Sequence, residues 1–189
     1  MKTIAVVAQK GGVGKTTIAN EIAFSFDRTG TPISTYDLDG QGGGAHGTRK
    51  NPEAVVRIVD TPGQLTKQVK DVIQASDLVI VPTGSTGLDV IPLTRIQEVI
   101  QANISEDAKL LFVVNRMTRW STSQEFLQWF NKREIGYAVT LPESEYFRRA
   151  VGTNSSVIEI APKNSTAWVD TMKLVNVVRE LLGLEKEAI

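Results

Sequence analysis

The chain has 189 residues, of which 41% are apolar and 22% charged, the balance of an ordinary globular protein with one real core and no room for a second. Its 21 basic and 21 acidic side chains cancel, so the molecule as a whole is no electrostatic glue for nucleic acid; any such contact needs a local patch. It contains no cysteine, which excludes disulfides, thiolate metal sites and iron–sulfur ligation.

Thr3–Ala8 reads TIAVVA, a branched apolar run that predicts a strand covered on both faces. A glycine-rich turn leads to a helix over Thr16–Arg28, with Ile18, Ile22, Ala23 and Phe26 at helical spacing and Gly30 beyond its end. A short strand, Ile33–Tyr36, runs into Asp37-Leu38-Asp39, and the glycine-rich stretch Gly40–Asn51 reads as a loop. Val55–Val59 predicts a third strand, ending at Asp60-Thr61-Pro62-Gly63. Helices are then expected over Leu65–Ala75, Leu88–Ala102, Ser121–Arg133 and Ser165–Leu182, and strands over Leu78–Val81, Leu110–Val114 and Tyr137–Leu141. This alternation predicts one α/β domain over residues 1–189, a three-layer structure with a mainly parallel twisted sheet between helices. The apolar start is too short for a signal peptide, and no stretch approaches the length of a membrane span.

The segment Lys10–Thr17, KGGVGKTT, lies between a predicted strand and a predicted helix. That is the setting in which a glycine-rich loop binds phosphate. Gly11, Gly12 and Gly14 let backbone N–H groups, that of Val13 included, converge on phosphate oxygens, and the helix start adds its positive dipole end. Lys15 is placed to reach the β- and γ-phosphates, the Thr16 hydroxyl to ligate Mg²⁺, and Thr17 to complete the cradle. Gln9 stands where the general pattern begins with glycine. A phosphate loop also needs carboxylates at neighbouring strand ends, and Asp60, Asp37 and Asp39 occupy such positions.

Lys10-Gly-Gly-x-Gly-Lys15-Thr resembles the deviant phosphate loop of the ParA/MinD family of ATPases, D-L-D-G-Q resembles its D-x-D-P-Q segment, and I-V-D-T-P-G its usual third motif. The resemblance covers nearly the whole chain and is closest to small ParA-type partition ATPases. It implies the P-loop NTPase fold, Mg-ATP as ligand, slow hydrolysis to ADP and phosphate, and an ATP-dependent homodimer. Within that match, Lys10 reaches the partner copy's nucleotide, Asp39 positions the attacking water, and Asp37 and Asp60 support the metal. Gly40 replaces the family's proline, which bears on the stiffness of that loop. Asn115, after LLFVVN, matches an asparagine that touches adenine in relatives, though a turn asparagine fits equally. Asp89 matches an acidic family position, or is simply a helix-start aspartate.

Relatives of the partition type bind DNA without sequence preference. By that resemblance Arg116, Arg119, Arg148 and Arg149 are the candidate contacts, although Glu143, Glu145 and Glu159 interrupt them as on any mixed surface. The implied partners are nonspecific DNA and an adaptor or centromere-binding protein that stimulates hydrolysis, and the implied place is the cytoplasm, on the nucleoid. The acidic C-terminus, GLEKEAI, lacks the basic amphipathic helix that would anchor a MinD-like membrane switch, so no membrane partner is expected. An ATP-dependent ligase of the dethiobiotin-synthetase type shares the loop and is the alternative enzyme class; a scaffold that binds nucleotide without turnover is the third reading. The lone His46 makes no metal site, and Trp120 and Trp129 read as packing residues.

Overall fold

A computed structural model describes residues 1–39, 46–133 and 135–188. Its strands are β1 (Lys2–Val6), β2 (Ile33–Asp37), β3 (Val56–Asp60), β4 (Leu78–Thr83), β5 (Lys109–Met117) and β6 (Tyr137–Pro142). They form one parallel sheet in the order β2-β3-β1-β4-β5-β6. The helices are α1 (Lys15–Arg28), α2 (Lys67–Gln74), α3 (Val90–Asn103), α4 (Ser121–Lys132), α5 (Glu145–Thr153), α6 (Val157–Ile160) and α7 (Thr166–Leu181).

The period of two along each strand divides its residues between two cores. Ile4 and Val6 pack with Ile18, Ile22 and Phe26 of α1 and Leu174 and Val178 of α7. Ala5 and Val7 pack on the opposite face with α2, α3 and α4, through Ile73, Leu93, Ile96, Phe126 and Phe130. Both faces are covered, which is why the strands are continuous apolar runs. The chain crosses from β1 out to β2, returns to β3, and then crosses β1 to reach β4. Connections therefore reverse direction around β1, and the crevice at its carboxyl end is where such sheets bind ligands.

The structure revises several sequence boundaries. The second helix is shorter, Lys67–Gln74, because Thr66 caps it by accepting from Val69 N–H. The third begins at Val90, after a 3-10 turn over Gly87–Asp89. β5 runs on through Asn115 and Arg116 to Met117, and its register against β6 shifts between Val114 and Met117. Helices α5 and α6 were not anticipated. Each is short, and each is started by a serine: Ser144 accepts from Tyr146 N–H, and Ser156 forms a reciprocal cap with Glu159. Together with α7 they enclose a small third cluster around Trp168, Val157 and Met172. Of the expected loop Gly40–Asn51, Gly40 and the residues to 45 lie outside the described residues; Arg49 then forms an antiparallel bridge with Thr35.

The acidic C-terminal tail is tied down. The Glu187 carboxylate accepts from Ser25 Oγ at 2.6 Å and from Arg28 Nε at 2.7 Å, fastening the tail to α1. Among the described residues no helix is long and apolar enough to cross a membrane.

Candidate functional site

The turn between β1 and α1 is built for something other than itself. Gly12 and Gly14 adopt positive φ values, 72° and 101°, which side-chain-bearing residues rarely tolerate. Gly14 is the N-cap of α1 and offers no side-chain cap, and the first turn carries no acidic residue. The first backbone bond of the helix runs from Ile18 N–H to Gly14 C=O at 2.9 Å. The helix thus starts with N–H groups and a dipole end that no side chain among the described residues caps. These groups line a cleft of about 780 Å³ whose walls are Gly11, Gly12, Gly14, Lys15, Thr16 and Thr17 on one side and Asp37, Asp39, Pro62, Gly63, Gln64 and Arg116 on the other.

Parallel pairing places Asp37 and Asp60 opposite each other at the ends of β2 and β3. The Thr16 hydroxyl donates to Asp60 Oδ2 at 2.5 Å, while Asp60 Oδ1 is buried with no hydrogen-bond partner among the described residues. Burial pushes the Asp60 carboxyl up to about 6; the Thr16 hydroxyl and the Lys15 ammonium pull it down, and the charges of Asp37 and Asp39 push it up. Asp37 Oδ1 accepts from Asp39 N–H at 3.0 Å, and Leu38 N–H donates to Asp60 C=O at 2.9 Å, so the D-L-D segment is folded against the tip of β3. Lys15 is buried beside Gly63. Among the described residues no three acidic or histidine side chains converge closely enough to hold a metal ion by themselves. A cation held here would need phosphate oxygens and water to complete its shell, as Mg²⁺ on a nucleotide does. The orphaned Asp60 oxygen, the Thr16 hydroxyl and the uncapped glycine cradle fit that group.

Residues 4–157 match the family model described as the CobQ/CobB/MinD/ParA nucleotide binding domain. The chain belongs to this family. The solved structures it resembles include McdA of Cyanothece, an aspartate-to-alanine variant in complex with ATP, with TM-score 0.79 and 16% identity over 100% of this chain and 99% of that one. The septum site-determining protein MinD of Pyrococcus horikoshii, complexed with Mg-ADP, gives 0.72 and 16% over 100% and 99%. A plasmid partition protein of Borrelia burgdorferi bound to AMPPNP gives 0.70 and 14% over 92% and 97%. At these identities the likeness establishes the fold, and the expected P-loop architecture is the one found. No curated protein matches the chain by sequence.

In this MinD/ParA-type domain the two lysines of the loop part company. Lys15 lines the cleft at the glycine loop, whereas Lys10 turns to a neighbouring hollow and pairs with Asp89 at 2.7 Å. Asp89 is buried and also accepts from the Thr86 N–H and hydroxyl. Burial favours its neutral form, but Lys10 and Thr86 together hold its carboxyl below the usual carboxylate range. A Cβ on Gly84 would collide with this carboxylate, so glycine is what lets Asp89 pack there. Asp89 is therefore more than a helix-start residue: its partner is in the loop itself.

Asn115 is buried on the far side of the cleft. Its Nδ2 donates to Val13 C=O at 2.9 Å and its Oδ1 accepts from Arg116 N–H at 2.8 Å, so it ties the phosphate loop to β5. A Cβ on Gly14 would strike that amide. With Gly14, Thr17, Pro142, Glu143 and Phe147 it lines a second cleft of about 420 Å³. The four arginines do not share one place. Arg116 borders the clefts around the loop, Arg148 borders the second of these clefts as well as a separate groove beside Trp120 that Arg119 shares, and Arg149 lies over the Tyr146 ring at 5.6 Å. Sequence reasoning assigned no site role to Gln64, Pro142, Glu143 and Phe147, which border the clefts from the turn after β3, the end of β6, the turn after it and α5; only Gln64 carried a signal, by following D-T-P-G.

Proposed function

We propose that this chain is an ATP-dependent dimerisation switch of the ParA type. It binds Mg-ATP in the two adjoining clefts, pairs with a second copy, binds DNA without sequence preference as the pair, and is reset by slow hydrolysis. Its cargo is a plasmid, a chromosome or a protein assembly, and an adaptor or centromere-binding partner accelerates the reset. The observation that carries the proposal is the divergence of Lys10 from Lys15: one lysine serves the chain's own cleft, and the other is held outside it, free of phosphate duty in cis.

In this reading the N–H groups of Gly11–Thr17 hold the phosphates, with Lys15 compensating the charge between the β and γ groups. The base lies in the cleft beside Asn115. Thr16 and Asp60, with Asp37 behind them, would hold Mg²⁺, which neutralises charge on the phosphate oxygens when bound. Asp39 orients the attacking water, and turnover is slow. The pairing face is the hollow bounded by Lys10, Gly84–Thr86 and Trp120. Trp120 borders it at 76% exposure, and Leu88 and Ile91, close to Asp89 in sequence, are 81% and 63% exposed, apolar surface that a partner would cover. Lys10 leaves Asp89 to meet the partner copy's nucleotide. Arg119, Arg148 and Arg149 supply DNA-phosphate contacts.

DNA binding measured with ADP, ATP and a slowly hydrolysed analogue, across a range of salt, tests the switch. Binding should require ATP or the analogue and weaken steeply with salt. Equal binding in every nucleotide state would remove the switch and leave the ligase or the inert scaffold.

A further inference from the structure

Arg116 is one of two non-glycine residues with positive φ among the described residues, at 57°. The other, Asn154, caps the end of α5, an ordinary use of that conformation. Arg116 ends no helix. It sits where β5 slips register against β6, between Val114 and Met117, the kind of bulge that re-aims a side chain. Its backbone is held from both sides. The Ser85 hydroxyl, itself 3.0 Å from Ser123 Oγ, donates to Arg116 C=O at 2.9 Å, and Arg116 N–H donates to Asn115 Oδ1, whose amide in turn holds the phosphate loop. A left-handed arginine costs free energy, and it persists because three neighbouring segments fix it there.

The side chain so placed borders the phosphate cleft, the base-side cleft and the Lys10 hollow. It is exposed, and its guanidinium makes no hydrogen bond or ion pair among the described residues. Arg119, three residues on, lies over another groove. An unpaired guanidinium held at the lip shared by the two halves of a nucleotide site has one obvious complement, the polyphosphate chain that crosses that lip.

We infer that Arg116 binds the nucleotide polyphosphate in cis, closing over it opposite the glycine loop, and that it is not a DNA contact. The inference rests on the nucleotide reading above. The strained backbone aims the guanidinium, and Asn115 couples its position to that of the loop, so that both sides of the cradle are set by one hydrogen-bonded chain from Val13 to Ser85.

Calorimetric titration with Mg-ADP and with Mg-ATPγS tests this on wild type, Arg116→Ala, Arg116→Lys and, as a remote control on α3, Arg95→Ala. Arg116→Ala should weaken both nucleotides by about 10- to 100-fold, the worth of charged hydrogen bonds. Arg116→Lys should recover part of the loss, and Arg95→Ala should bind as wild type does. Thermal melts of the nucleotide-free proteins identify any variant that fails to fold, and the lysine variant keeps the test alive if alanine does. Wild-type affinity in both Arg116 variants, with a reduced salt dependence of DNA binding, would overturn the inference and return Arg116 to DNA. Wild-type protein that binds neither nucleotide would overturn the nucleotide reading itself.

Discussion

Two buried carboxylates, Glu21 in the middle of α1 and Asp60 at the tip of β3 beside its start, differ in one respect that separates architecture from function. Burial raises both, Glu21 to about 7 and Asp60 to about 6. Glu21 is completed by the protein: Ser156 Oγ donates to one oxygen at 2.5 Å and Val157 N–H to the other at 2.9 Å, with the Arg28 charge lowering its pKa and the Glu159 charge raising it. Asp60 has one oxygen satisfied by Thr16 and the other with none. A buried acid whose donors are all supplied by its own chain ties elements together, here α1 to the start of α6. A buried acid left half satisfied behind Thr16, next to the phosphate cleft, is open to a partner from outside the chain.

The comparison breaks most visibly at Glu21. Its folded pKa lies above the unfolded value of 4.5, so the folded state holds the proton more tightly. The associated stability is fully present below pH 4.5 and is lost as pH rises through about 7. Across that window the loss reaches roughly 3 kcal/mol at most. Glu21→Gln should flatten this part of the stability profile, read from urea melts between pH 4.5 and 8, while ATP hydrolysis stays at the wild-type rate. An unchanged slope would mean that Glu21 ionises in the folded protein without cost.

Asp60→Asn should do the reverse. The amide oxygen of the introduced side chain can still accept from Thr16, so the melts should barely move. Mg²⁺-dependent hydrolysis should fall about 10- to 100-fold, the usual effect of removing a carboxylate that supports a metal shell. A variant with full Mg²⁺-dependent turnover would show that Asp60 is a second Glu21, a tie between elements and nothing more.

The two carboxylates also mark what could be read from the sequence. Asp60 was legible because it ends an apolar strand and precedes Thr-Pro-Gly, in order with a phosphate loop. The same holds for the sheet, whose buried strands are unbroken runs of branched residues, and for Lys15 and Thr16, fixed by local spacing. Glu21 was not legible. It sits in a helix where an acidic residue passes for a surface one, and its partners are 135 and 136 residues away in sequence. Helices α5 and α6 were missed for a related reason: each is too short to show a period, and their apolar faces matter only once α7 covers them. Trp120, read as a packing residue, is instead exposed at the rim of the Lys10 hollow, because it precedes α4 and no element among the described residues covers it. Asn115 was read as a base contact or a turn former, and its hydrogen bond to Val13 C=O depends on β5 meeting the loop in space.

The smallest effect tests whether a completed pair can also be a functional one. Lys10 and Thr86 complete Asp89 much as Ser156 and Val157 complete Glu21, yet the Lys10 side chain is 40% exposed, so the pair can open to solvent. The exposed lysine end of the pair is screened by solvent, while its carboxylate end is buried and also held by Thr86. Lys10→Ala leaves the buried Asp89 only its two Thr86 bonds, so the melting temperature should fall modestly, while the affinity for Mg-ATPγS should stay nearly unchanged. If Lys10 exchanges Asp89 for the nucleotide of a second copy, the same variant should weaken ATP-dependent dimerisation about tenfold, the worth of one charged hydrogen bond. Sedimentation velocity with Mg-ATPγS at several protein concentrations reads that shift directly. Wild-type dimerisation in Lys10→Ala would place the pair with Glu21, as architecture, because the positive charge would then do its work entirely within its own chain.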